Sequence, residues 1–215
     1  MSHPLESSRA WVDEGTALCR KAIADLDEKT VRMPSALDGW TRAHVVAHLA
    51  ANADAVGNLA TWARTGVETP MYSSPQQRAE DIEAGSARSL DDLREWFDRS
   101  ADRLAASFHA LSADQWEAPV RTAQGRTVPA TETPWMRARE VMVHAVDLAT
   151  GVTFTDLPSD FLEALQADIR AKRGPDAVPE VSGPLAEVTA YLAGRPFHDV
   201  VTRDGHRAPA LPAWL

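Results

Sequence analysis

The chain has 215 residues, 44% hydrophobic and 25% charged, and a formal net charge of -9. Those fractions belong to a globular protein with one main domain and room for a smaller one. The negative balance argues against nucleic acid and anionic membranes as main partners, and Cys19 as the single cysteine leaves no intramolecular disulfide and no paired-cysteine metal site.

In chain order, helical periodicity predicts a first helix over 8–27, opened by Ser7 or Ser8 and amphipathic through Trp11, Leu18 and Leu26. Cys19 lies on that apolar face and reads as a small buried hydrophobe, not a nucleophile. Pro34 and Asp38-Gly39 predict a turn. A second helix runs from Thr41, a suitable N-cap, to about Arg64, with Gly66 as its stop. Its apolar set is Val45, Leu49, Val56, Leu59 and Trp62, so His48 lies beside the core stripe. Residues 66–85 carry Pro70, Ser73-Ser74 and Pro75 and read as a long connection, the kind that often serves function.

A third helix is predicted over 87–111, through Leu90, Leu93, Phe97, Leu104 and Phe108, followed by a short turn from Ser112. Residues 124–127 read as a loop or β-turn. A fourth helix spans 131–150, with Pro134 in its first turn and Gly151 closing it. Four long helices with one apolar face each predict a four-helix bundle over 1–152. The texture then changes. A helix over 158–173 is broken by Gly174-Pro175. Short strands at 178–181 and 197–202 flank a helix over 184–192 that Gly194 stops, and Asp204-Gly205 makes a turn. Residues 153–215 are therefore expected to form a small α/β domain, giving a mainly α protein overall.

Two of the helices carry chemistry. His44-Val-Val-Ala-His48 and Glu140-Val-Met-Val-His144 each place two metal-capable side chains one turn apart on one face. Glu140 and His144, with His44 or His48 as a third ligand, would suit a divalent metal with an open position. A carboxylate embedded among Val141, Met142 and Val143 needs a partner. Asp147, three residues past His144, could accept an imidazole N–H or be an ordinary surface carboxylate. No nucleophile elbow, P-loop or dinucleotide fingerprint occurs. The tryptophans sit at amphipathic spacing and form no stacking stripe with basic residues. The N-terminus carries no apolar signal segment, so the cytoplasm is the expected location.

Several stretches together resemble one family. Asp38-Gly-Trp-Thr-Arg-Ala-His-Val-Val-Ala-His-Leu-Ala-Ala-Asn-Ala-Asp, Trp62-Ala-Arg-Thr-Gly-Val-Glu-Thr-Pro-Met-Tyr, Asp81-Ile-Glu-Ala-Gly, Arg139-Glu-Val-Met-Val-His-Ala-Val-Asp-Leu and Tyr191-Leu-Ala-Gly-Arg-Pro resemble the mycothiol-dependent maleylpyruvate isomerases. That family belongs to the DinB-like metal-binding four-helix bundles. The resemblance implies His48, Glu140 and His144 as metal ligands, with His44 outside the set. Zinc, nickel or iron could use these ligands, with zinc the first choice. The resemblance also implies a catalytic arginine in the C-terminal part, where Arg195 matches best and Arg203 and Arg207 are rivals.

By the same resemblance the cofactor is mycothiol and the substrate maleylpyruvate, a dicarboxylic keto acid. The thiolate would add to the cis double bond, the resulting single bond would rotate, and thiolate loss would give fumarylpyruvate. Asn52, Arg64, Tyr72 and Arg78 are candidates to bind substrate or cofactor. A mycothiol S-transferase, or a metal-stabilised bundle that binds a thiol or protein without turnover, are the alternatives. Oligomeric state is not legible.

Overall fold

The computed structural model describes residues 3–174 and 177–214. It is mainly α-helical, and the chain divides into two compact units, 2–152 and 153–215. In the first unit the helices are α1 (Leu5–Ala24), α2 (Arg42–Thr65), α3 (Pro75–Ser86), α4 (Leu90–His109), α5 (Ala113–Trp116) and α6 (Thr133–Asp147). The four long ones, α1, α2, α4 and α6, form the bundle, with α1 on α6 and α2 on both α4 and α6. A two-stranded antiparallel hairpin, β1 (Pro119–Arg121) and β2 (Thr127–Pro129), precedes α6. Its turn holds Gly125 at φ 81°.

Three sequence expectations shift. The first helix begins at Leu5, capped by Pro4 in an extended conformation, so Ser7 and Ser8 lie inside it. It ends at Ala24 because the Asp27 carboxylate accepts the Lys29 and Thr30 amides and pulls the chain into a turn. The connection after Gly66 is half helix. Ser74 accepts the Gln77 amide and Pro75 stands in the first turn, which makes Ser-Pro a helix start and not a loop signal. The fourth helix stops at Asp147, before 150. Its last carbonyls turn toward donors from elsewhere: Arg42 bonds Leu148 O at 2.8 Å and Ala149 O at 2.9 Å, and the Ala36 amide bonds Asp147 O at 2.8 Å.

The Arg42 clamp matters for the site, because it fixes the start of α2 beside the end of α6. The two helices therefore run antiparallel, and the second turn of α2 faces the last two turns of α6. Fully buried Ala43, Ala47, Ala50 and Ala145 line the apolar cluster between them and keep the backbones close. Gly15 does the same for α1, since a Cβ there would meet Val141 Cγ2 at 2.5 Å. Gly85 seats α3, with Trp96 and Ala47 filling the space its side chain would need. The core has two clusters, one around Val45, Leu49, Phe97 and Val141 and one around Val56, Leu59, Phe108 and Trp116. Polar His48 and Asn52 sit on α2 where these clusters meet.

The second unit contains α7 (Ser159–Arg173) packed on α8 (Leu185–Leu192), and the antiparallel pair β3 (Val181–Ser182) and β4 (Val201–Thr202). Its core includes Phe161, Leu165, Ile169, Tyr191 and Val200. Gly174 at φ 86° ends α7, while Pro175 lies outside the described residues. The strands are shorter than the alternation suggests, two residues each.

Candidate metal centre

α2 and α6 bring His48, Glu140 and His144 together, with one ligand atom from each within 4.8 Å of the others. Among the described residues no other group of three His, Cys, Asp or Glu side chains is so placed. Glu140 Oε2 lies 2.9 Å from His48 Nε2 and 3.2 Å from His144 Nε2. The imidazole planes stand nearly perpendicular, 84° apart. Both histidines are 3% exposed, whereas the Glu140 side chain keeps 18%, so the cluster opens on the glutamate side.

The outer contacts orient the ligands. Asp147 is fully buried, and its Oδ2 accepts the His144 Nδ1 proton at 2.8 Å. Asp147 thus takes the role of imidazole acceptor and not that of a surface carboxylate. The lone pair of His144 Nε2 is then free to face a metal once its proton leaves. Trp40 forms a side wall, its ring 5.5 Å from His48 and stacked on His44. His44 itself is a cap: its Nδ1 accepts the Thr41 amide at 3.2 Å and faces Thr41 Oγ1 at 2.7 Å. Its Nε2 lies 3.2 Å from Glu83 Oε2. His44 therefore turns away from the cluster it was spaced to join.

Electrostatics separate the three ligands. Burial opposes charge on Glu140, but hydrogen bonds from His144 and His48 hold its carboxyl well below the ordinary range. Burial lowers the pKa of His48. Burial also opposes charge on His144, yet Asp147 and Glu140 grip both ring nitrogens and raise it to about 9. The metal-free cluster is thus a carboxylate shared by one neutral and one cationic imidazole. Two imidazole nitrogens and one carboxylate oxygen, preoriented and mostly buried, are a donor set that fits zinc or another first-row divalent ion. Loading would release the His144 proton and move the His48 proton from Nε2, where it faces Glu140, to Nδ1.

Three further candidates gather at the edge of the cluster. Arg78, on α3, places an Nη 3.3 Å from His48 Nδ1 and its Cζ 5.7 Å from the Tyr72 ring centroid. Asn52 is 5% exposed, one turn beyond His48. Arg64 is not brought there. Sixteen residues after His48 on the same helix, it stands about 24 Å away along the axis and is exposed. Arg195 lies in the second unit, 6% exposed, and donates to Ala193 O at 2.8 Å. Of its rivals, exposed Arg203 sits 3.8 Å from Glu180, and Arg207 donates to Phe197 O.

Cys19 is fully buried, its thiol set against Val141 O, and burial pushes its pKa up to about 12, with Arg137 offsetting only part. It is no source of thiolate. The residue that sequence reading missed is Arg137, fully buried and one turn before Glu140. An arginine three residues ahead of Glu140, on the helix face that Glu140 shares, was the available signal.

Known proteins share this fold. Residues 12–149 match the family described as the mycothiol maleylpyruvate isomerase N-terminal domain. The crystal structure of the mycothiol-dependent maleylpyruvate isomerase superposes with a TM-score of 0.91 at 39% identity, covering 99% of this chain and 98% of that one. The crystal structure of a histidine-to-alanine mutant of that isomerase matches with the same figures. No curated protein sequence matches.

Proposed function

This chain belongs to the mycothiol maleylpyruvate isomerase family, and from that premise we propose that it converts maleylpyruvate to fumarylpyruvate with mycothiol and a divalent metal. The observation that carries the proposal is the buried His48–Glu140–His144 cluster, in a chain that matches the isomerase structure from end to end. Turning a cis double bond into a trans one requires that bond to lose its double character for a moment. Mycothiol, when bound, supplies the nucleophilic thiol, and the metal, when bound, supplies a Lewis acid that favours its thiolate form.

The chain's own residues do the rest. His48, Glu140 and His144 would hold the metal, and zinc suits this donor set because it imposes little geometry of its own. Asp147 keeps the His144 proton on Nδ1. Trp40 and the apolar turns around Val141 limit water on one side of the cluster. Arg78 and Tyr72 supply a cation and a hydroxyl for an anionic substrate. The family resemblance, rather than any contact seen here, assigns Arg195 a further positive charge in the reaction. Such an enzyme works in the cytoplasm, where a small-molecule thiol stays reduced. No helix among the described residues is long and apolar enough to cross a membrane.

The deciding experiment is an isomerisation assay on maleylpyruvate. Turnover is expected only with mycothiol present, and is lost with a strong chelator and restored by zinc. Activity that survives both chelation and omission of the thiol would overturn the proposal. Arg195→Ala is expected to keep its metal and lower kcat by about a hundredfold, the scale of one lost charge-stabilising donor. Unchanged kinetics would move that role to another arginine.

A further inference from the structure

Arg137 is the bulkiest fully buried side chain among the described residues. A cation taken out of water is normally paired with a carboxylate. Here the two hydrogen bonds go to neutral oxygens, Leu49 O at 2.7 Å and Asn52 Oδ1 at 2.8 Å, both on α2. The guanidinium Nε and the second Nη have no partner. Burial lowers the Arg137 pKa only to about 10, so the group is still a cation at neutral pH. Retaining such a charge between two helices calls for a use beyond packing, since an apolar side chain would fill the space at less cost.

That use can be read from what Arg137 does to Asn52. A guanidinium has only donors, so Asn52 must present its carbonyl oxygen to it. A flipped amide would set N–H against N–H. The Asn52 NH2 is therefore turned away from Arg137, and the Tyr72 phenol lies close enough to Asn52 and Arg78 for both to act on it. Burial keeps that phenol protonated. Asn52 is one helical turn from His48, and the Tyr72 phenol lies near enough to Glu140 to sense its charge.

We propose that Arg137 is a positioning residue that locks Asn52 as a hydrogen-bond donor of an anion subsite beside the metal cluster, with the nearby Tyr72 hydroxyl as a second donor. The subsite takes one carboxylate of the dicarboxylic substrate, an assignment that rests on the substrate class proposed above. Arg78 closes the subsite from α3, and Arg137 provides a fixed positive field beneath it. Glu140 and Asp54 offset part of the buried charge at a distance, and the substrate carboxylate adds to that balance.

Asn52→Asp separates this role from a structural one, because the two move in opposite directions. The variant gives Arg137 a directly bonded carboxylate and removes the Asn52 NH2. Its melting temperature is expected to rise by about 3 °C or more. Its zinc content is unchanged, and its KM for maleylpyruvate rises about tenfold or more, the cost of losing a hydrogen bond to a charged group. Tyr72→Phe removes only the hydroxyl and is expected to show the same KM rise with its melting temperature unmoved.

Calorimetric titration of zinc-loaded protein with fumarate, a non-reacting dicarboxylate, reads the subsite without turnover. Affinity for fumarate should fall about tenfold in both variants. An unchanged KM and fumarate affinity in Asn52→Asp would overturn the inference even if the wild type is a good isomerase. If the wild type does not isomerise maleylpyruvate, the functional reading fails alone. Fumarate binding that both variants weaken would then still support the subsite, and absence of fumarate binding to the zinc-loaded wild type would overturn it.

Discussion

His48→Ala, Glu140→Ala and His144→Ala are each expected to lose stoichiometric metal and essentially all isomerase activity, while keeping the bundle. Three protein ligands are the minimum set that leaves a position for the cofactor's sulfur, so the loss of one leaves no adequate site. Their stabilities should differ, because the three side chains have different neighbours. Glu140→Ala removes a partly exposed carboxylate, and His48→Ala a neutral imidazole. His144→Ala takes the hydrogen-bond donor from fully buried Asp147 and should cost about 1–3 kcal/mol, the most of the three. Metal analysis by mass spectrometry, circular dichroism and turnover with mycothiol check the set. Full zinc occupancy in purified Glu140→Ala would show that the carboxylate is a neighbour of the metal and not a ligand.

The site was half legible before the fold was known, for identifiable reasons. Helical spacing alone puts Glu140 and His144 on one face, and Thr41 and Gly66 bound α2 closely. Spacing could not choose between His44 and His48. Both lie on the same face, and what separates them is tertiary: His44 caps its own helix and meets Glu83 from α3, a residue far off in sequence. The family resemblance made that choice, and the geometry gives its cause.

Arg64 shows the opposite error. It flanks the connection that carries Tyr72 and Arg78, so it looks adjacent in sequence, but the length of an α-helix carries it to the far end of the bundle. Arg137 was invisible because a cation on a helix is ordinarily read as a solvated face. Its burial follows from the antiparallel docking of α2 on α6, which periodicity does not specify. The helix α3 was misread because Ser-Pro serves both loops and helix starts, and only the Ser74 cap decides between them.

Metal affinity is expected to climb about tenfold per pH unit from near pH 7 to about 9 and then level off. The cause is the proton on His144. In the metal-free fold its pKa is raised to about 9, because the Asp147 and Glu140 hydrogen bonds outweigh burial. At neutral pH a metal must therefore displace one proton, and each unit of pH makes that displacement tenfold easier until the imidazole is neutral. Neither Glu140, held well below its ordinary range, nor His48, lowered by burial, adds a proton in this window.

Stability of the metal-free fold moves the other way. A pKa raised above the unfolded value of about 6.5 stabilises the fold fully below that pH, and the contribution fades as pH rises through about 9. The gap in melting temperature between zinc-loaded and metal-free protein should therefore widen with pH. Competition titrations against a chromophoric chelator at pH 7, 8 and 9, with parallel thermal scans, measure both slopes. An affinity that stays flat across that range would mean that His144 is already neutral in the metal-free fold. Asp147 would then be an acceptor that fixes its tautomer and no counter-ion to its charge.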